Sequence, residues 1–381
     1  MIPASLQKYS EILTQYAGEG RLRTIPDCDK KLRFDLTSND YMGLAHNAGL
    51  YRDEFYAKYG NAPFTSSASR LLAGTSDYYS KFEEYLESLY GKPALIFNSG
   101  YHANVGIIQA LNVPGTYWVV DKLAHASVID GLKLANANFK RFPHNDITKL
   151  RNILSKEANK YQRVILVIEG IYSMDGDTAP LEKLVELKRE YPNLLIYLDE
   201  AHSFGVLGTR GLGLAERLGL IDEIDILLVT LGKAAASSGA FAVTNSLIKQ
   251  FLINNARSLI FSTALPPISV AWSMFMIEKL TEMQSERAHL LKICEKFRRG
   301  LDAISGMRSL SDSAIIPLIT GDANKAVELS RKLESNGIRA LAIRRPTVAA
   351  GSERIRFSIH ASLSEADITE ILTGVSQAYE D

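Results

Sequence analysis

Six short apolar runs punctuate the middle of the chain: 94–98 (ALIFN), 116–120 (TYWVV), 164–168 (VILVI), 194–198 (LLIYL), 226–230 (ILLVT) and 240–243 (AFAV). Such runs, rich in β-branched and aromatic side chains and bounded by turn residues, mark buried strands. Between them, apolar positions fall at helical spacing over 81–89, 181–190 and 212–220. Strand–helix alternation predicts a mostly parallel, doubly wound α/β sheet with helices on both faces. Beyond about residue 270 the texture changes. A long helical region, 267–303, leads to strands at 314–319, 338–343 and 355–359, with helices over 324–336 and from Ser364 onward. This predicts a smaller C-terminal α+β domain, with polar 305–313 as a junction inside it. The expected division is an N-terminal segment 1–45, a large α/β domain 46–270 and a C-terminal domain 271–381.

Composition narrows the classes. The 381 residues are 46% hydrophobic and 23% charged, as in ordinary soluble globular proteins. Lys plus Arg and Asp plus Glu both number 43. That balance argues against nucleic acid as the main partner, which calls for a basic excess. The two cysteines, Cys28 and Cys294, are far apart, so a disulfide or Cys-based zinc framework is not expected and a reducing cytoplasm is. Residues 1–16 carry Leu6, Tyr9, Ile12, Leu13 and Tyr16 at helical spacing, without the apolar core of a signal peptide. The longest apolar stretch, 266–277, is too short to span a bilayer and reads as a buried helix. A cytoplasmic protein with no membrane partner follows as the expectation.

Ligands of open α/β sheets bind at the carboxyl ends of the strands. Five polar clusters sit there: Ser99-Gly100-Tyr101-His102-Ala103-Asn104 after the first run, Asp121 to Ser127 after the second, Glu169 to Asp177 after the third, Asp199 to Gly205 after the fourth, and Leu231-Gly232-Lys233 after the fifth. Each has an ordinary reading. A lone lysine is usually a surface charge, Asp199 alone could cap a helix, and His125 or His202 alone could be structural. Lys233, however, follows an apolar strand and precedes the small stretch 234–238. Partly dry surroundings lower a lysine pKa, as Schiff-base chemistry needs. A carboxylate such as Asp199 at the end of an apolar strand calls for a cation. Ser99-Gly100-Tyr101 would open a helix whose N–H groups suit a phosphate.

Other motifs fail on inspection. Asp199-Glu200-Ala201-His202 resembles a helicase box, but no G-x-x-x-x-G-K-[ST] loop accompanies it. Gly211-Leu212-Gly213 begins like a dinucleotide fingerprint, but Glu216 stands where the third glycine belongs. There is no H-E-x-x-H, and the seven histidines do not cluster, so no metal site is expected.

Taken together, these motifs resemble the α-oxoamine synthases, fold-type I pyridoxal 5′-phosphate enzymes that join an amino acid to an acyl thioester with loss of carbon dioxide. The resemblance runs from Ser38-Asn39-Asp40-Tyr41-Met42-Gly43-Leu44 to Arg354-Ile355-Arg356-Phe357. It implies a mostly parallel seven-stranded sheet, pyridoxal phosphate as cofactor, acyltransferase activity and a homodimer with a shared active site. By the same resemblance, Lys233 is the Schiff-base lysine and Asp199 the partner of the ring nitrogen. His202 bonds the ring hydroxyl, and His125 stacks on the ring face. Gly100, Tyr101 and Thr230 lie on the phosphate side, and Thr263 reaches the phosphate of the partner subunit. Ser173 and Glu169 surround ring and substrate, Asn39 lies near the substrate, and Arg356 grips the amino-acid carboxylate.

Within the family, 342–351 (AIRRPTVAAG) is close to the A-I-R-P-P-T-V-P-x-G of the branch that condenses L-alanine with a pimeloyl thioester, on acyl carrier protein or coenzyme A, in biotin biosynthesis. Arg344 and Thr347 on this loop match substrate contacts. Residues 141–146 (RFPHND) agree. Departures are Ser66-Ser67-Ala68-Ser69-Arg70 for S-G-G-S-R, Ala234-Ala235-Ala236-Ser237-Ser238-Gly239 for a glycine-rich stretch, and Arg345 and Ala349 for prolines. Alternatives are a sister enzyme using glycine with acetyl or succinyl thioester or serine with a long acyl thioester, an aminotransferase, and a silent protein that only binds carrier protein or coenzyme A.

Overall fold

The structure, a computed structural model, describes residues 2–25, 32–74 and 76–380. The chain forms two compact units, one of 39–173 and 177–288, the other of 1–38, 174–176 and 289–381.

The first unit is built on a seven-stranded sheet. Its strands are β1 (Ala94–Phe97), β2 (Thr116–Asp121), β3 (Phe139–Phe142), β4 (Arg163–Glu169), β5 (Leu194–Asp199), β6 (Ile226–Thr230) and β7 (Ala240–Thr244). They lie in the order β1-β7-β6-β5-β4-β2-β3. Neighbours are parallel except β7, which is antiparallel to β1 and β6. The carboxyl ends of β1, β2, β4, β5 and β6 therefore share one edge. Every residue of β2 is buried, and every residue of β4 but Arg163. Such continuous burial belongs to strands covered on both faces. On one face Trp118, Val120, Ile165, Val167 and Leu228 pack with Ile107, Val128 and Leu132 of helices Gly100–Leu111 and Ala126–Leu134. On the other, Phe241 meets Phe82, Tyr90 and Phe204 edge-on.

All six expected strands of this sheet are present, and β3 is a seventh that the apolar runs did not show. Its residues Phe-Lys-Arg-Phe leave Lys140 and Arg141 exposed on the sheet edge, where charge blocks pairing with other strands. The helix expected over 212–220 shrinks to Leu214–Arg217. Gly213 (φ 115) and Gly219 (φ 67) bracket it in backbone conformations no right-handed helix continues. The long region 267–303 is two helices, Pro267–Glu282 and Gln284–Ser305, broken at Met283. The first is buried through Val270, Phe275 and Ile277, as its apolar stretch predicts. No described helix is long and apolar enough to cross a membrane.

In the second unit β8 (Ile315–Ile319), β9 (Leu341–Ile343) and β10 (Arg354–Ser358) form an antiparallel sheet in the order β9-β10-β8. Helix Ala323–Ser335 packs on β9, β10 and helix Glu365–Glu380. The strand expected over 338–343 divides at Ala340. Ile338–Arg339 pairs with Phe34–Asp35, while Leu341–Ile343 pairs with β10. Cys294 is buried, which pushes its thiol pKa up. Cys28 lies outside the described residues.

Two departures from the family's glycines keep a glycine-like backbone. Ser67 has φ 52 and Ala236 has φ 47, a region that costs a residue with a β-carbon roughly 1–2 kcal/mol. Ser67→Gly and Ala236→Gly should each raise the unfolding free energy by up to about 1 kcal/mol, the relieved strain less the chain entropy glycine adds. Urea titration reads the change. No gain in either variant would show that the left-handed turns carry no strain.

Candidate active site

Five strand ends contribute to one edge of the first unit. β6 ends at Thr230, and Lys233 follows three residues later, half-buried. β5 ends at Asp199, and the turn after it carries His202; both are buried. The Lys233 Nζ lies 2.9 Å from His202 Nε2. On the other side of the imidazole, Nδ1 lies 2.7 Å from the Tyr41 hydroxyl, which donates to Asn39 Oδ1 at 3.0 Å. The segment 39–41 thus holds the histidine that meets the lysine.

Asp199 is held by hydrogen bonds. Its Oδ1 accepts from the Ala201 N–H at 3.0 Å, and its Oδ2 accepts from Asn104 Nδ2, also at 3.0 Å. Asn104 in turn meets Ser127, and Ser127 meets His125 Nδ1 at 2.7 Å. His125 caps helix Ala126–Leu134 and is exposed. Protein packed around its ring lowers its pKa, the Lys233 charge lowers it further, and Asp199 opposes both. Glu169 ends β4 directly beside Asp199 in register. Burial, then the charge of Asp199, pushes its carboxyl well above the usual range.

Gly100 opens a 12-residue helix capped by Ser99, whose hydroxyl accepts from His102 N. A β-carbon at Gly100 would come within 2.3 Å of Thr230 Cγ2, so only glycine lets this helix end approach β6. The Thr230 hydroxyl is buried and has no hydrogen-bond partner among the described residues. Tyr101 is tied to Asp130, its hydroxyl donating to Oδ2 at 2.8 Å. Ser173 is half-buried on the loop between Gly170 and Thr178. Thr263 is exposed on a turn whose carbonyl accepts from Asn98 Nδ2 at 2.6 Å.

Arg356, Arg344 and Thr347 belong to the second unit. Arg356 is buried on β10 and donates to Ser358 Oγ at 2.7 Å. Arg344 donates to the carbonyls of Gly20 and Leu22, at 2.8 and 3.1 Å, and Arg23 donates to Thr347 Oγ1 at 2.9 Å. Both loop residues are therefore tied to the segment 20–23, and Arg23 joins them unforeseen. Tyr41, Asn104 and Ser127 are likewise residues to which the sequence assigned no role. Each lies inside a motif noted for its neighbours, and only the folded distances single it out.

A second network braces the turn that leads to His125. His144 lies between two aspartates, with Nδ1 3.0 Å from Asp121 Oδ1 and Nε2 2.8 Å from Asp177 Oδ2. Asp121 also accepts from the N–H groups of Leu123 and Asn145. Burial alone would depress the His144 pKa, but the two carboxylates raise it to about 10.

The aminotransferase class I and II family model matches residues 33–375. An 8-amino-7-oxononanoate synthase of Haemophilus ducreyi is 41% identical over 381 aligned residues, covering 96% of this chain and 98% of that protein. Among solved structures, a serine palmitoyltransferase of S. paucimobilis with PLP and myriocin bound superposes with a TM-score of 0.87 at 28% identity, covering 98% of this chain and 97% of the other. An 8-amino-7-oxononanoate synthase of Francisella tularensis superposes with a TM-score of 0.75 at 29% identity, covering 90% of this chain and 97% of the other.

The His144 network predicts a pH dependence of stability. The ordinary pKa is 6.5 and the folded one is about 10, so the folded state holds the proton more tightly. Its stabilisation is complete below about pH 6.5 and fades as pH rises towards about 10. His144→Gln should therefore be less stable than the parent at pH 6, and the gap should close by pH 10. Urea unfolding across this range reads the gap. A gap of constant size would mean that His144 is not a proton-bearing bridge.

Proposed function

Because the chain belongs to the aminotransferase class I and II family and, within it, to the α-oxoamine synthases, we propose that it condenses L-alanine with a pimeloyl thioester, losing carbon dioxide, to give 8-amino-7-oxononanoate. The observation that carries this reading is the meeting of Lys233 with His202 at 2.9 Å beside the buried, hydrogen-bonded Asp199. An amine, an imidazole and a carboxylate at adjoining strand ends suit a pyridine cofactor with an aldehyde, a hydroxyl and a ring nitrogen.

The residues present fit pyridoxal 5′-phosphate. Thr230 Oγ1 is a buried hydroxyl that lacks a partner among the described residues, next to the opening turn of helix Gly100–Leu111. A phosphate would supply that partner and use the helix N–H groups. Asp199 would hold the ring nitrogen, His202 the ring hydroxyl, His125 the ring face, and Lys233 the aldehyde carbon. Thr263 of a second copy is assigned to the phosphate, which makes the working form a homodimer. When bound, the cofactor supplies an electron sink for negative charge at the amino-acid Cα.

The chain's own groups do the rest. The Lys233 amine takes the proton from Cα of alanine and returns it at the end. Packed beside His202 and half-buried, it stays close to the reacting carbon and away from bulk water. Arg356 offers a planar fork for the alanine carboxylate. Asn39 and Ser173 flank the substrate, and Arg344 and Thr347 take the acyl side. The thioester carrier is acyl carrier protein or coenzyme A.

One observation favours a second reading. The serine palmitoyltransferase superposes more closely than the Francisella synthase, 0.87 against 0.75 in TM-score. Condensation of serine with a long acyl thioester is the alternative. Sequence weighs the other way, at 41% identity to the Haemophilus ducreyi synthase against 28% to the palmitoyltransferase.

Thiol release by the purified protein with added pyridoxal phosphate decides between them. Alanine, glycine and serine are each paired with pimeloyl, acetyl, succinyl and palmitoyl thioesters. Release with alanine and the pimeloyl donor alone is expected. Release only with serine and palmitoyl would transfer the assignment to the second reading, and no release would remove the condensing function. In Lys233→Ala, turnover should fall by more than about a hundredfold while the thermal unfolding profile stays that of the parent. Substantial turnover there would take the proton transfer away from Lys233.

A further inference from the structure

We infer that Asn104 and Ser127 are positioning residues that hold His125 as one tautomer, with its proton on Nε2 and a bare lone pair on Nδ1. The ring then meets a substrate oxygen as a hydrogen-bond donor and has no base to offer at that atom. Only the identity of the group that His125 touches rests on the function proposed above. The tautomer itself follows from counting protons along one buried chain of hydrogen bonds.

The count starts at Asp199, a carboxylate and therefore an acceptor. The Asn104 amide group 3.0 Å from its Oδ2 must be the NH₂ end, since a carbonyl there would face another oxygen. The opposite end of the amide agrees, because Oδ1 accepts from the Tyr197 hydroxyl at 2.6 Å. The second Nδ2 proton points to Ser127 Oγ at 3.0 Å. Ser127 Oγ accepts from Asn104 and has a second lone pair, so the direction of its 2.7 Å contact with His125 Nδ1 is set at the nitrogen. The Ser127 backbone N–H donates to Nδ1, at 3.3 Å. A nitrogen that accepts a backbone N–H offers a lone pair, and the Oγ proton turns to it. With two donors aimed at Nδ1, that nitrogen has no room for a proton of its own. A neutral ring must carry its proton on Nε2.

Behind His125 the links of the chain are closed to solvent. Asn104 is 2% exposed, while Ser127 and Tyr197 are fully buried, so water does not reach the linking atoms to reverse a hydroxyl. Rigid elements set the spacing. Asn104 is on helix Gly100–Leu111 and Ser127 on helix Ala126–Leu134, which pack together. A β-carbon at Gly131 would lie 3.2 Å from Val105 Cα, so the glycine keeps the two helices near enough for Asn104 to reach Ser127. The charges acting on the ring are Asp199, Lys233 and Asp130. The lowered pKa of His125 agrees with a ring that has no acceptor at Nδ1 to welcome a second proton.

The test is nitrogen NMR of the full chain labelled at the histidine ring nitrogens, with and without added pyridoxal phosphate. The His125 signals are assigned by their loss in His125→Gln. The expected result at neutral pH is a protonated Nε2 and an unprotonated Nδ1. A proton on Nδ1, or on both nitrogens, would overturn the inference whatever the enzyme's activity. Asn104→Asp puts an acceptor where Ser127 now finds a donor. The Ser127 proton should turn to it, and His125 should gain a proton at Nδ1 with its titration midpoint displaced upward. In Ser127→Ala, turnover should drop about tenfold, the value of one hydrogen bond, with KM for both substrates nearly unchanged. Ser127→Thr, which keeps the hydroxyl, should restore it. Unchanged Nδ1 signals in both Asn104→Asp and Ser127→Ala would remove the positioning role. If no substrate pair releases thiol, the proposed function fails, and the nitrogen signals still decide the tautomer.

Discussion

A carboxylate at the end of a buried strand must be satisfied, and much of the first unit is arranged around that demand. Asp199 closes β5, a strand buried at all but one position, and is itself 4% exposed. Burying such a charge without partners is costly, and the hydrogen bonds of Ala201 and Asn104 meet part of that cost. Each bond ties Asp199 to a different element: the turn that presents His202, and the helix that starts at Gly100. A cationic ring nitrogen would complete the set. The group that most needs a partner thus binds together the segments from which the site is made.

Close backbone approach is the second requirement. Gly100 lets a helix start against Thr230, and Gly131 lets two helices meet where Asn104 reaches Ser127. Beside these the chain tolerates strain. Ser67 and Ala236 hold left-handed backbone conformations at positions within segments where the family has glycine. The Ala236 turn follows Lys233 directly, so its geometry bears on where the amine points.

Electrostatics divides the titratable groups of the first unit into two roles. His144, clamped by Asp121 and Asp177, is raised to about 10 and stays charged. His125, desolvated by the protein packed around it and facing the Lys233 charge, has its pKa lowered against the pull of Asp199. His144 follows β3 and reaches Asp121 at the end of β2, from which the chain runs on to His125 at the cap of the next helix.

The sequence by itself determined the strand–helix alternation, the common edge of five strand ends and the residues on it, because apolar runs and turn residues are local signals. Lys233, Asp199, His202 and His125 stood out as polar residues that follow apolar runs, whereas Thr230, inside a run, was singled out only by the family resemblance. The sequence did not reveal β3, whose two charged residues hide an edge strand, nor the shortening of the helix to Leu214–Arg217, where Gly213 lies so close to Glu200 that a β-carbon would not fit. The division at Ala340 was also invisible, since which partner a strand pairs with is a long-range matter. Only the tertiary structure decided how the site residues are joined. Asn104 lies 95 residues from Asp199 and 23 from Ser127, and Tyr41 lies 161 from His202. Hydrogen bonds over such separations depend on the packing of whole helices against the sheet, and no local pattern encodes a distance of 3 Å between atoms so far apart along the chain.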